Sequence, residues 1–133
     1  MKYRFLEHTA DMKFQAFGKT LEQAFENSVL AVSSHLSGEK PVKSSKKKKV
    51  KLEGNDKKSL FYNLLDEVIF LLDAESFLVS KAKINIKENT LNIEFSGDDA
   101  SKYNIDEIKA ATYAEMEIKQ TKDGWQVQAV MDI

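Results

Sequence analysis

Two acidic residues raise the question of chemistry in this sequence. Asp11 closes the stretch HTAD at residues 8–11, and Asp132 stands in the final MDI at residues 131–133. Asp11 falls between two strand-like stretches, where a loop would present it. Asp132 lies one residue before the terminal carboxylate of Ile133. If the first and last strands are neighbours in a sheet, Asp11, Asp132 and that carboxylate gather in one place. Three carboxylates repel strongly unless a cation sits among them. An all-oxygen set suits a hard ion such as Ca²⁺ or Mg²⁺ and not Zn²⁺. Spacing alone favours a plainer reading, in which Asp11 serves a turn and Asp132 is a solvated terminus.

Other routes to chemistry are thin. The chain has no cysteine, and no serine stands in a Gly-x-Ser-x-Gly context. His8 and His35 are not at metal-ligand spacing. The glycines at 18, 38, 54, 97 and 124 are scattered at the ends of elements and build no phosphate loop. A histidine such as His8, in a strand near the surface, is most often hydrogen-bonded locally, and Lys109 in IKAATY reads as a solvated lysine. A metal-dependent hydrolase stays open as an alternative. Asp11 and Asp132 would hold Mg²⁺ to activate water, with His8 as the base to propose. The run Lys46–Lys49 reads as a solvated loop and edge strand, where lysines discourage edge pairing. No aromatic interleaves it, so the stacking platform of a single-strand RNA binder is missing. A general chaperone or RNA-binding adaptor led by that run is a third reading.

The elements that would position these residues follow from hydrophobic periodicity. YRFL and MKFQAFG flank the opening motif, and Met12, Phe14 and Ala16 alternate with Lys13 and Gln15 as in a half-buried strand. KTLEQAFENSVLAVSSHLSG is a helix, with Thr20 and Gln23 as a capping box. Its apolar stripe includes Leu21, Phe25, Val32 and Leu36, and Gly38 is its stop. KKVKLEG ends as a strand with its charges outward. DKKSLFYNLLDEVIFLLDAESF is the strongest helix, with a wide apolar face from Leu60 to Leu72. FLVSKAKINIKENTLNIEFSG is an antiparallel pair joined at KEN. The C-terminal part predicts a second hairpin. Thr112, Ala114, Met116 and Ile118 alternate on one arm, and Trp125, Val127, Ala129 and Met131 on the other, with a tight turn at Asp123-Gly124. In that register Asp132 points away from the core. The sum is an α+β single domain over residues 1–133, two helices packed on a mostly antiparallel sheet.

Composition bounds the rest. The chain has 133 residues, enough for one hydrophobic core. Lysine plus arginine is 20 and aspartate plus glutamate 21, for a net charge of −1, so no global basic field draws nucleic acid. The N-terminus has no apolar stretch of the signal-peptide kind. The longest apolar run, VIFLL at 68–72, is too short to span a bilayer. The expectation is a soluble, cytoplasmic domain without membrane partners.

Three segments, in order, resemble the archease family: HTADMKFQAFGKTLEQAFENS near the start, IKAATY at 108–113, and the terminal WQVQAVMDI. The helix SLFYNLLDEVIFLLD also fits, so the resemblance spans the chain. It implies an accessory protein of the tRNA-splicing RNA ligase, which joins RNA ends with GTP and a divalent metal. Such proteins promote the ligase's covalent guanylate and its repeated turnover, acting as activators and not as enzymes. RNA is then reached only indirectly, through the ligase. By position, the resemblance makes Asp11, Asp132 and Ile133 ligands of a divalent ion, calcium in the family, with Mg²⁺ or Mn²⁺ as alternatives. It also points to His8, Thr9 and Lys109 as residues that back those ligands or touch a partner. One departure stands out: family members commonly have His after the Thr-Tyr pair, where this chain has Ala114.

Overall fold

Alternating polar and apolar residues at both ends of the chain build one sheet. The computed structural model describes residues 1–133. Strands β1 (Tyr3–Leu6), β2 (Asp11–Gly18) and β8 (Gly124–Asp132) lie side by side, and β8 carries β6 (Ala110–Ala111) and β7 (Glu117–Thr121) on its other edge. All pairs are antiparallel. Met12, Phe14 and Ala16 of β2 sit opposite Met131, Ala129 and Val127 of β8, and all six are buried on the core side. The intervening residues are thereby forced onto the opposite face.

A second sheet has three antiparallel strands in the order β3 (Lys46–Glu53), β5 (Thr90–Asp99), β4 (Phe77–Lys87). The strands anticipated as one layer thus divide between two sheets. Helices α1 (Leu21–Leu36) and α2 (Lys57–Glu75) supply the rest of the core. α1 packs against β2 of the first sheet and β4 of the second, while α2 covers β3 and β4 and reaches β6. Phe25 and Phe61 stack at 5.0 Å where the helices meet, inside one cluster of 31 buried residues.

Local chemistry sets the helix ends. The Thr20 hydroxyl accepts from the Gln23 N–H, and the Gln23 side chain accepts from the Lys19 N–H. At α2, Asp56 and Ser59 form a reciprocal capping box. Gly38 follows α1 with φ +64, a backbone that favours glycine.

The second sheet is locked at one end by Asp98. This carboxylate is fully buried and accepts hydrogen bonds from Ser45 Oγ at 2.7 Å, Tyr103 OH at 2.8 Å and the Asp99 N–H at 2.9 Å. The Ser45 and Tyr103 hydroxyls hold its carboxyl far below the usual carboxylate range.

One expected element differs. The arm from Thr112 to Ile118 is not continuous, because residues 112–116 leave the ladder between β6 and β7. Thr112 Oγ1 donates to the Val130 carbonyl at 2.7 Å and accepts from the Ala114 N–H at 3.2 Å. A side-chain donor has replaced a backbone one, and the chain bulges outward. No helix is long and apolar enough to cross a membrane.

Candidate functional site

The register of β2 against β8 places Asp11 directly opposite Asp132. Asp11 is the first residue of β2, not a loop residue as its flanks suggested. On the far side, Ala110 pairs with Asp132, and the Lys109 N–H donates to the Asp132 carbonyl at 2.7 Å. Met12 and Met131 turn inward from this end, so the two carboxylates share the outer face, with Ile133 next along the chain. Sequence reasoning made this convergence depend on the first and last strands being neighbours; it is the second strand, β2, that pairs with the last and sets Asp11 opposite Asp132.

A hydrogen-bonded network that starts at His8 lies beside the pair, though His8 Nδ1 itself makes no hydrogen bond. His8 Nδ1 lies 3.5 Å from an Asp11 carboxylate oxygen, and His8 Nε2 meets Glu115 Oε2 at 2.7 Å. Lys13 donates to the other Glu115 oxygen at 3.1 Å. These donors, His8 first, lower the Glu115 pKa below the ordinary glutamate value. The backbone carbonyl of Glu115 accepts from Gln128 Nε2 at 2.8 Å; Gln128 Oε1 in turn accepts from Gln15, and Gln15 from Arg4. Gln15 and Gln128 are buried on adjacent strands, so their amides satisfy one another. The bulge at 112–116 is what brings Glu115 over this face. Glu115 (φ 51) and Ala10 (φ 63), on either side of the site, both hold left-handed backbone without being glycine.

Beside Asp11 opens a cleft of about 990 Å³ whose lining includes Phe5, His8, Thr9, Lys13, His35 and Ile133. Phe5 and Ile133 are each 39% exposed, so apolar surface lies next to the acids. His35 reaches the same cleft from α1, 3.7 Å from Asp106, although its sequence position gave no hint of this. Thr9 and Ala114 are exposed at the rim of this region. No three His, Asp or Glu side chains are grouped closely enough to hold a metal by themselves. A cation here would therefore need main-chain oxygens beside the two aspartates. Sequence reasoning missed Glu115, Lys13, Gln15, Gln128 and Arg4. The polar types of Lys13, Gln15, Gln128 and Arg4 on strands were visible, but not which would meet, because that depends on long-range register; Glu115 arrives by the bulge at 112–116.

The comparisons with known proteins agree with this architecture. The sequence matches the family described as "Archease protein family (MTH1598/TM1083)" over residues 3–133. The protein archease of Methanosarcina barkeri is 34% identical over 140 residues, spanning 99% of this chain and 96% of that one. That of Pyrobaculum calidifontis is 35% identical over 139 residues, spanning 98% and 95%. Among solved structures, the solution structure of protein 1598 of Methanobacterium thermoautotrophicum superposes with a TM-score of 0.80 at 27% identity, covering 98% of each chain. The crystal structure of an archease from Thermotoga maritima, called a possible chaperone, shares the fold with a TM-score of 0.65 at 19% identity, covering 96% and 94%. A match across nearly the whole chain, with the two-sheet topology to go with it, shows that this chain belongs to the archease family.

Proposed function

We propose that this chain is a non-catalytic accessory protein of a tRNA-splicing RNA ligase. It promotes guanylylation and repeated turnover of that ligase through the acidic tip at the ends of β2 and β8. The observation that carries the reading is the direct opposition of Asp11 and Asp132 across neighbouring strands. Two like charges in register destabilise a ladder, so the arrangement calls for a positive partner.

The donor set fits a hard divalent cation. Asp11 and Asp132 offer carboxylate oxygens and Ile133 its main-chain oxygens, with no nitrogen or sulfur required. Calcium is the preferred ion, with Mg²⁺ and Mn²⁺ as alternatives. Bound there, the ion supplies charge neutralisation and a fixed geometry for the tip. The chain's own residues do the remaining work. His8 and Glu115 fix the approach to Asp11, the Lys109 amide anchors the backbone of Asp132, and Phe5 and Ile133 offer apolar surface to a protein partner. Thr9, exposed in the same cleft, adds a hydroxyl at the contact rim.

The competing hydrolase reading needs a free base beside the pair. His8 Nε2 is engaged by Glu115 at 2.7 Å, and Nδ1, 3.5 Å from Asp11, is unpartnered but closed off from solvent, so neither nitrogen is presented to a substrate water. The deciding experiment is a guanylylation time course of a cognate ligase with GTP and Mn²⁺, with this protein at substoichiometric amounts. The expected result is acceleration that disappears with Asp132→Ala or Asp11→Ala. Full acceleration by both variants overturns the role of the tip.

A further inference from the structure

Away from the acidic tip, the outer face of the second sheet concentrates positive charge. Alternation puts Lys47, Lys49 and Lys51 of β3 on this face, with Lys81, Lys83 and Lys87 of β4, and all six are exposed. The acids on the same face are Glu53 and Glu94, in a chain whose net charge is −1. Glu94 is taken up by Lys47 at 3.5 Å, while Glu26 at the rim binds the Ile84 N–H. The other five lysines form no ion pair.

The register aligns the charges. Lys49 and Lys83 flank Glu94 in one row across the sheet, and Lys51, Asn92 and Asn85 make the next. Alternate lysines along each strand repeat at about 6.8 Å. Between the two rows of lysines lies a shallow depression of about 500 Å³. Blunting the two edge strands against pairing accounts for some lysine on β3 and β4. It does not account for five unpaired ammonium groups held on a single flat face.

We propose that this face binds the phosphate backbone of an RNA strand. The side chains that alternation turns outward here are Lys, Glu, Asn, Ser and Thr; Val50, Ile84 and Ile93, which also border the depression, turn toward the core, with Ile84 and Ile93 buried. Base stacking has no platform there, so contact is with phosphates. A membrane surface would find no apolar anchor, and a protein partner would find none of the aromatic or arginine anchors that carry interfaces. The choice of RNA over other polyanions rests on the ligase reading; the phosphate chemistry does not. RNA would then be touched directly, not only through the ligase, by a face separate from the tip.

The test uses fluorescence anisotropy of a labelled oligouridine, with the full chain and no ligase, across a salt series. Lys49→Gln/Lys83→Gln is expected to weaken binding about tenfold at low salt and to reduce the slope of log K on log salt by about 1.4. Lys119→Gln/Lys122→Gln, an equal charge change on β7 and its turn, is expected to change affinity by less than about twofold. Circular dichroism checks that both doubles stay folded. Equal weakening by the two doubles, no binding at low salt, or tighter binding to polyglutamate or to phosphatidylserine vesicles each overturns the proposal. Because no ligase is present, failure here leaves the tip's role in guanylylation untouched.

Discussion

At Asp132 the cost of opposing two carboxylates should be measurable. Without divalent ions, Asp132→Asn removes one charge of the pair and is expected to raise stability by up to about 1 kcal/mol. Added Ca²⁺ should raise the melting temperature of the parent chain and leave the variant unmoved. Urea melts in chelator, then thermal melts with calcium, check both halves. Ala10 is a second lever. Its φ of 63 costs an alanine about 1 kcal/mol, so Ala10→Gly is expected to stabilise by up to that amount in the same melts. The aspartates were legible in the sequence because each sits at the end of a clear strand pattern. Glu115 was not. Its role depends on a bulge created by the Thr112 hydroxyl, which alternation alone does not reveal.

At the level of elements, α1 and α2 are joined through Phe25 and Phe61. Phe61→Ala is expected to cost about 3–5 kcal/mol in chemical denaturation, since Phe61 is wholly buried and the helix–sheet packing around it cannot close the gap. Asp98 ties β5 to the segment before β3. Its pKa falls on folding, so its stabilisation is complete above the unfolded value of about 3.9 and fades as the pH drops below it. Asp98→Asn should lower the melting temperature at neutral pH by about 10 °C. It should also flatten the melting-temperature profile below about pH 4. Both helices and most strands were readable from apolar spacing, because burial of one face writes that period into the chain. The division into two sheets was not, since alternation states that a strand has a buried face but not which neighbour it takes.

Across the whole molecule, the acidic tip and the basic face lie on different sheets with the helices packed against both. They share no hydrogen-bonded residue, so their perturbations should add. Asp132→Ala is expected to leave oligouridine affinity unchanged, and Lys49→Gln/Lys83→Gln to leave the calcium-induced melting shift unchanged. The two assays already described, run on Asp132→Ala and on the lysine double separately, check this.

The β2–β8 ladder also has a consequence in time. It joins residues 11–18 to residues 125–132, so no local hairpin can seed it. As the chain is synthesised, β2 has β1 on one edge and α1 against its inner face, but its other edge stays unpaired until the last strand arrives. The first sheet is therefore the slow step of folding and the exposed flank of any truncated product. A chain lacking its final strand loses Asp132 with it, takes Val127, Ala129 and Met131 out of the shared core, and leaves Asp11 at an unpaired edge.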